Sequence, residues 1–286
     1  MSDLVRLRHG FLRADISPAG AELHSLRSGD LELLWQAADP WRRHAPTLFP
    51  VICRVPDDAI TVAGRSHPMP QHGFVRDLTF DVVEVTESTA AFVLVADDTT
   101  REHFPWDFAL ALRYELDDRS LRVTWEVENR AGAVMPFSLG WHPAFTWPLD
   151  EQAKELHRIE FERPESGEHR RVVDNLLDPE VHTGLVHDRT LELNPAIFAD
   201  GAVILTDVAS RDLAYAAMTG AGLHLAWEGF TGITAWSPPG GDFVCIEPWR
   251  GTPAPPDFTG EFLDKPDQTL LQPGARARFD AVVTVV

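Results

Sequence analysis

The sequence predicts an all-β fold, a large antiparallel β-sandwich with few short helices. Two observations support this prediction. Apolar and polar residues alternate with a period of two along most of the chain, and clusters of turn residues separate the alternating segments at short intervals. Segments with strong helical periodicity are almost absent. Many short strands with frequent turns are typical of a sandwich, and no internal repeat indicates a propeller or a solenoid.

The clearest strand pair covers residues 108–116 and 121–128. Apolar residues occupy every odd position from Leu121 to Val127, which predicts one face on a core and the other face toward water. The polar residues 117–120 between the two segments predict a hairpin.

Other segments show the same alternation, and few show any helical pattern. We predict one domain that covers residues 1–286, with short helices only near residues 40–45 and 100–104. Further strands are predicted at residues 4–8, 11–16, 23–27, 31–35, 80–85, 91–96, 134–139, 223–227 and 278–285.

The net charge and the cysteine content narrow the range of possible functions. The chain has 44 acidic and 25 basic residues and a net charge of −19, which repels nucleic-acid phosphates and anionic membranes. No segment is apolar over the length of a membrane span. The two cysteines, Cys53 and Cys245, are too few for a disulfide framework. We therefore expect a cytoplasmic protein with two free thiols and a small-molecule ligand, and no role in nucleic-acid or membrane binding.

Two residues with side chains suited to acid–base chemistry lie where predicted strands end. His142 follows a predicted strand, and Pro143 favours an extended conformation at His142 and ends the ladder beyond it. Glu247 ends the apolar run 243–246, and alternation places it on the same face as Cys245. An acid on that face is costly to bury unless it is hydrogen-bonded or functional.

Each of these residues, taken alone, more often has a structural role than a catalytic one. Together with His72, nearby arginines and several tryptophans, they indicate a polar pocket with aromatic walls that fits a sugar or a similar small polar ligand. Trp236 is the tryptophan that we expect to pack against the sugar, because it precedes the loop 237–241 that leads into the Glu247 strand.

Four segments of the chain carry a family resemblance. Residues 46–54, 71–77, 138–145 and 245–251 contain the strings His-Gly-Phe-x-Arg, Gly-x-His-Pro-x-Phe and Ile-Glu-Pro-Trp. In this order and at these separations they resemble the aldose 1-epimerase (galactose mutarotase-like) superfamily, and especially its LacX-like branch. The resemblance implies the supersandwich fold of that superfamily. It also implies an isomerase that interconverts the α and β anomers of a hexose without a metal or any other cofactor.

The resemblance also assigns roles to individual residues. It makes His142 the general acid and Glu247 the general base of ring opening. His72 matches a second substrate-binding histidine, Arg54 matches a sugar-contacting arginine, and Asp200 is the candidate for a further substrate-contacting acid.

The protonation states required for this chemistry can also be stated in advance. Neighbouring arginines would keep Glu247 charged. An ordinary histidine pKa of about 6.5 would keep part of His142 protonated near neutral pH. These states predict a rate that falls on both sides of neutrality.

Three other functions stay open. A hexose-6-phosphate 1-epimerase would use the same acid and base with a cationic phosphate pocket, for which Arg76, Arg250 and Lys265 are candidates. A non-catalytic sugar-binding module would keep the fold without turnover. Glycoside hydrolysis is less favoured because it normally needs two carboxylates, and the sequence offers one convincing candidate.

Overall fold

The structure is a computed structural model, which describes residues 4–149, 153–217 and 222–286. Strands predominate, as the alternation in the sequence predicts. The strands of the first half are β1 (Val5–His9), β2 (Leu12–Ser17), β3 (Glu22–Ser28), β4 (Leu31–Glu32), β5 (Thr47–Leu48), β6 (Ala59–Val62), β7 (Arg65–Pro68), β8 (Asp81–Val85), β9 (Thr89–Val95), β10 (Phe108–Leu116), β11 (Ser120–Asn129), β12 (Met135–Phe137) and β13 (Leu139–Trp141). Those of the second half are β14 (Ala144–Thr146), β15 (His157–Phe161), β16 (Val172–Val173), β17 (Leu176–Leu177), β18 (Val186–His187), β19 (Thr190–Glu192), β20 (Val203–Leu205), β21 (Asp212–Ala217), β22 (Gly222–Glu228), β23 (Gly232–Trp236), β24 (Phe243–Arg250), β25 (Thr269–Leu271) and β26 (Arg276–Val285).

Helices are few in the described ranges. The α-helix α1 covers Asp98–His103, where Asp97 and Thr100 form a capping box at its start. Short 3₁₀ helices lie at Pro56–Asp58, Val75–Asp77, Lys154–Leu156, Pro195–Phe198 and Phe262–Asp264. Within the described part of the chain, no helix has both the length and the apolar character needed to cross a membrane.

The largest sheet has ten strands in the order β18-β19-β15-β21-β22-β26-β11-β10-β9-β8, and its strand pairs are antiparallel. The predicted hairpin is confirmed: β10 and β11 pair in register from Phe108–Asn129 to Leu116–Leu121. The four odd residues from Leu121 to Val127 are buried, as the alternation predicts. β26 pairs with both β11 and β22, so the C-terminal strand joins the two halves of this sheet.

A second sheet of six strands packs against the first. Its order is β20-β23-β24-β13-β5, and β14 pairs with β24 beside β13. Trp125 of the ten-stranded sheet donates from Nε1 to Thr47 Oγ1 in β5 at 2.9 Å, and its ring lies 5.7 Å from Trp141 of β13. These contacts are part of a large apolar core between the two sheets. The predicted antiparallel sandwich is therefore confirmed.

Several local predictions differ from the structure. The strand predicted at 31–35 is shorter, Leu31–Glu32, and Glu247, predicted at the end of a strand, lies within β24. The sequence predicts a helix at 40–45, but the structure has a turn, irregular backbone and a bend there, with a cis peptide bond before Pro40. The strand predicted at 134–139 is divided into β12 and β13, which pair with different partners, β25 and β24. The apolar pattern across 134–139 marks burial, but it does not record where a chain passes from one sheet to the other.

Candidate active site

The six-stranded sheet places His142 opposite Glu247. β13 pairs with β24 at Gly140–Trp249, and β14 pairs with the same strand at Ala144–Cys245. The residue midway between Gly140 and Ala144 is His142, and the residue midway between their partners is Glu247. Because alternate residues point to the same face, Glu247 shares its face with Cys245, as the sequence predicted.

The two side chains are neighbours in this buried face. His142 Nε2 lies 3.4 Å from Glu247 Oε1, and the two side chains are 8% and 1% exposed. Trp249 donates from Nε1 to Glu247 Oε2 at 3.1 Å. Gly140 makes room for that indole, because a Cβ on Gly140 would lie 2.9 Å from Trp249 Cδ1. The Glu247 carboxyl is thus held between an imidazole and an indole.

Burial dominates the electrostatics of the pair. It raises the pKa of Glu247 well above its ordinary value, against a smaller lowering by the Trp249 hydrogen bond. Burial also lowers the pKa of His142 to about 3, and the nearby charge of Arg76 adds to this effect. The expected charged carboxylate and imidazolium are therefore replaced by neutral forms. The sequence did not reveal how completely the fold removes both groups from water.

The pair lies in a cavity of about 550 Å³, a volume typical of small-molecule sites. Trp41 stacks on the His142 ring at 4.8 Å, and Trp236 meets that ring edge-on at 5.8 Å. Thr234 lies opposite Glu247 on β23, and its buried Oγ1 has no hydrogen-bond partner within the described residues. The cavity therefore combines aromatic walls with polar atoms that can bind a ligand.

The His-Gly motif places His72 in the same cavity. His72 N donates to Cys53 O at 2.7 Å, and Cys53 N donates to His72 Nδ1 at 3.0 Å. Gly73 has a φ of 72°, and a Cβ there would lie 1.9 Å from Phe49 O, so this position requires glycine. Because Nδ1 accepts a hydrogen bond, the neutral His72 ring carries its proton on Nε2. Burial, helped by His142 and Arg76, lowers the pKa of His72 well below its ordinary value.

Two guanidinium groups also line the cavity. Arg76 donates from Nη2 to the Gln71 carbonyl at 2.6 Å, whereas its buried Nε has no hydrogen-bond partner in the part of the chain described and lies 3.8 Å from Asp77 Oδ2. Burial and the charge of Arg43 lower the pKa of Arg76 to about 10, so the group is still charged at neutral pH. Arg43 forms an ion pair with Asp77 at 2.7 Å.

The cavity thus brings together five of the predicted site residues: His142, Glu247, His72, Trp236 and Arg76. It does not include the other two. Arg54 turns away and donates from Nε to Asp58 Oδ1 at 2.6 Å. Asp200 lines a neighbouring cavity with His169 and Arg171, although the next residues along the chain, Gly201 and Ala202, reach the site.

The phosphate-binding residues considered from sequence are also separated. Arg250 lines a different cavity and donates to Thr269 Oγ1 at 3.2 Å. Lys265 is buried, and its Nζ donates to the Thr252 carbonyl at 2.7 Å. Of the three cations in that hypothesis, Arg76 alone reaches the site.

Several residues that line the cavity were not predicted from the sequence. Asp174 and Asn175 form the turn between β16 and β17, with φ values of 52° and 62°. An Asp-Asn pair between two apolar dipeptides is a hairpin-turn signal that could have identified them. Trp41 and Arg43 come from a segment for which helix was predicted, and no local pattern marks them.

Three side chains of metal-ligating type lie close together in this site. One ligand atom from each of His142, Cys245 and Glu247 lies within 4.8 Å of the others. Burial raises the pKa of the Cys245 thiol well above its ordinary value, with a further contribution from Glu247. The thiol form is therefore favoured, whereas a metal needs the thiolate.

Comparisons with known proteins agree on one family. The family model described as aldose 1-epimerase matches residues 3–265. Protein LacX of Lactococcus lactis subsp. lactis, in its plasmid form, is 30% identical, and the match covers 99% of each chain. A galactose mutarotase-like protein from Lactobacillus casei superposes with a TM-score of 0.92 at 28% identity, covering 99% of this chain and 100% of that one. A galactose mutarotase related enzyme from Lactobacillus acidophilus gives 0.90 at 27% identity, with 99% and 97% covered.

Proposed function

The chain belongs to the aldose 1-epimerase family, in its LacX-like branch, and from this premise we propose that it interconverts the α and β anomers of a hexose by acid–base ring opening. One observation carries the proposal. The imidazole of His142, between β13 and β14, lies 3.4 Å from the carboxyl group of Glu247 in β24, in an aromatic-walled cavity of sugar size. The ring oxygen and the C1 hydroxyl of a sugar are attached to the same carbon, so two groups this close can reach both oxygens.

The proton transfers balance within the pair. Glu247 removes the proton from the C1 hydroxyl while His142 gives a proton to the ring oxygen, and the C1–ring oxygen bond breaks. The product is the open-chain aldehyde beside a neutral imidazole and a protonated carboxyl. Rotation about C1–C2 and reversal of both transfers close the ring with the opposite anomeric configuration.

Desolvation determines where the proton shared by the pair rests. In the resting site it is on Glu247, and it passes to His142 Nε2 before ring opening begins. Burial lowers the pKa of His142 and raises that of Glu247, so it favours the neutral pair. The neutral pair is the state that accompanies the open-chain aldehyde. The site therefore favours the protonation states that His142 and Glu247 have while the sugar ring is open.

The walls of the cavity supply binding. Trp41 and Trp236 offer flat apolar surfaces for the C–H faces of the sugar. His72 Nε2, Thr234 Oγ1 and the turn residue Asn175 offer polar atoms for its hydroxyl groups. In this arrangement the sugar is held by shape and hydrogen bonds, without a need for net charge.

Glu247→Gln tests the proposal. The amide keeps the shape of the side chain and an oxygen that can accept from Trp249, but it cannot take a proton from the sugar. We expect kcat to fall by about 10²- to 10⁴-fold, measured by polarimetry on a panel of freshly dissolved aldoses. The matched control is Glu87→Gln, an exposed carboxylate paired with Arg8, which should keep wild-type turnover. Unchanged turnover in Glu247→Gln would show that the assigned base is wrong.

A phosphorylated hexose is the second candidate substrate. It is favoured by Arg76, whose buried Nε lacks a hydrogen-bond partner in the described residues, and by Arg43 beside it in the cavity. NMR exchange rates for α-glucose and α-glucose-6-phosphate distinguish the two substrates. Preference for the phosphate that Arg76→Gln abolishes would establish this candidate, and equal or better turnover of glucose would exclude it. Saturable sugar binding without faster anomer exchange would instead identify a non-catalytic binding module.

A further inference from the structure

A second group of metal-ligating side chains lies outside the residues that line the catalytic cavity. Glu22 and His24 belong to β3, and His44 lies in the segment before β5. One ligand atom from each of the three lies within 4.8 Å of the others. None of these residues has a part in the proposed acid–base chemistry.

The distances between them leave a space of ionic size. His24 Nε2 lies 3.9 Å from Glu22 Oε2, and His44 Nδ1 lies 4.0 Å from Glu22 Oε1. Both separations are too long for a direct hydrogen bond. Ligand atoms about 2.0–2.2 Å from a shared Zn²⁺ ion are about 3.0–3.6 Å apart, so each of the two histidine–carboxylate separations would shorten by about 0.3–1 Å on binding.

The carboxylate is already held in place, and both imidazoles are in the protonation state that a metal needs. Glu22 Oε1 accepts from His44 N at 2.8 Å and from Ala45 N at 2.9 Å, which fixes the carboxylate. The rings of His24 and His44 are stacked, with their centroids 4.2 Å apart and an angle of 16° between their planes. At least one ring therefore rotates when both nitrogen lone pairs bind one ion. Burial lowers the pKa of His44 to about 4, and it lowers that of His24 despite the charges of Glu22 and Asp15. Both imidazoles are therefore neutral at pH 7 and have a free lone pair.

We propose that Glu22, His24 and His44 bind one divalent transition-metal ion of the Zn²⁺ type. Two imidazoles and one carboxylate are a ligand set suited to zinc and its neighbours, whereas calcium and magnesium need more oxygen ligands. The His24 side chain is 30% exposed, so an ion can enter from solvent, and water can complete the coordination.

The proposed ion connects to the catalytic cavity through a short segment. His44 directly follows Arg43, which lines the cavity, and Trp41 in the same segment stacks on the His142 ring. His142 N donates to the carbonyl of Pro46 at 3.0 Å, just beyond His44. An ion that joins His44 to β3 therefore holds residues 41–46 against the cavity wall.

The experiment is a titration of the whole chain, stripped with EDTA and desalted, with ZnCl₂ in a calorimeter. We expect wild type to bind one Zn²⁺ ion at this site. His24→Gln and His44→Gln should each weaken that binding by about 10- to 100-fold or more, because each removes a ligand. The melting temperature of wild type should rise with Zn²⁺, and that rise should be smaller in both variants.

Two controls separate this site from other clusters. His182→Gln alters the partly exposed group of Asp178, Glu180 and His182, and Cys245→Ser alters the group beside the catalytic pair. Both should bind Zn²⁺ as wild type does, and the Co²⁺ complex should lack the strong ultraviolet absorption of a thiolate ligand. Absence of saturable binding in wild type overturns the proposal. Full binding by either His24→Gln or His44→Gln overturns it too, as does loss of binding in Cys245→Ser.

Discussion

Two buried carboxyl groups, Glu247 in the six-stranded sheet and Asp280 in the ten-stranded sheet, have opposite environments. Asp280 accepts two hydrogen bonds from Arg278 at 2.8 Å and one from Thr124 at 2.6 Å. Glu247 accepts one hydrogen bond, from an indole, and its other neighbour is the imidazole of His142. Their side chains are similarly hidden, 8% and 1% exposed.

The pKa values show what these environments do. Burial by itself would raise the pKa of Asp280, but the hydrogen bonds from Arg278 and Thr124 bring it below its ordinary value. Burial raises the pKa of Glu247, and one hydrogen bond from Trp249 does not offset it. The fold therefore stabilises a fixed charge at Asp280, whereas it leaves a carboxyl that can exchange a proton at Glu247.

The largest expected effect concerns activity at the cavity. His142→Asn removes the proposed acid, and we expect kcat to fall by about 10²- to 10⁴-fold with a near-native melting temperature. Asp280→Asn should leave kcat unchanged, because Asp280 is not among the residues that line the cavity. Polarimetry and thermal unfolding on both variants check this division. Similar losses of turnover in the two variants would contradict our claim that the cavity is catalytic and the environment of Asp280 is structural.

The next effect concerns stability. Asp280→Asn should lower the free energy of unfolding by about 1.5–3 kcal/mol, the usual range for hydrogen bonds to a charged group. Glu247→Gln should not lower it at pH 7, because the amide replaces a carboxyl that is already costly to ionise. Urea unfolding of both variants at pH 7 measures the difference. A larger loss in Glu247→Gln than in Asp280→Asn would contradict our account of Glu247.

The pH dependence of stability sharpens the same comparison. The pKa of Asp280 is lowered, so its contribution is present above the ordinary aspartate pKa and is lost as the pH falls through the lowered value. The pKa of Glu247 is raised, so its contribution is present below the ordinary glutamate pKa and is lost as the pH rises through the raised value. The free energy of unfolding of Asp280→Asn should thus approach that of wild type in acid. The free energy of unfolding of Glu247→Gln should rise above that of wild type in alkali.

The pH profile of activity follows from the same desolvation. Because burial lowers the pKa of His142 to about 3, the pair keeps a single exchangeable proton well below neutral pH. We expect kcat/KM to be retained at pH 5 and to fall in alkali, where Glu247 loses its proton. This differs from the fall on both sides of neutrality that the sequence suggested. An acid limb near pH 6.5 in a stopped-flow polarimetric profile would show that His142 is not desolvated in solution.

The smallest expected effect concerns the two arginines assigned from sequence. Arg54→Gln should leave KM unchanged, because Arg54 pairs with Asp58 away from the cavity. Arg76→Gln should raise KM for the best substrate, because its guanidinium lines the cavity. Steady-state kinetics on the two variants test this placement. A raised KM in Arg54→Gln alone would restore the role that the family resemblance implied.

The sequence predicted the strands well, because alternation is a local property. The β10–β11 hairpin and the burial of Leu121 to Val127 follow from a few neighbouring residues and are confirmed. The shared face of Cys245 and Glu247 also follows from alternation. The segment 40–45 could not be predicted in this way, because contacts with distant residues, such as Trp41 with His142, determine its path.

By itself, the sequence determined the sandwich class, the family and the ordered motifs that contain His142, Glu247 and His72. The tertiary structure alone decided that β13 and β14 both pair with β24 and so bring His142 to 3.4 Å from Glu247. It also decided that Arg54 and Asp200 lie outside the cavity and that burial favours the neutral acid–base pair. Residue type and alternation can be read from neighbouring residues in the sequence. Strand register, side-chain direction and desolvation depend on contacts between strands that are distant in the sequence.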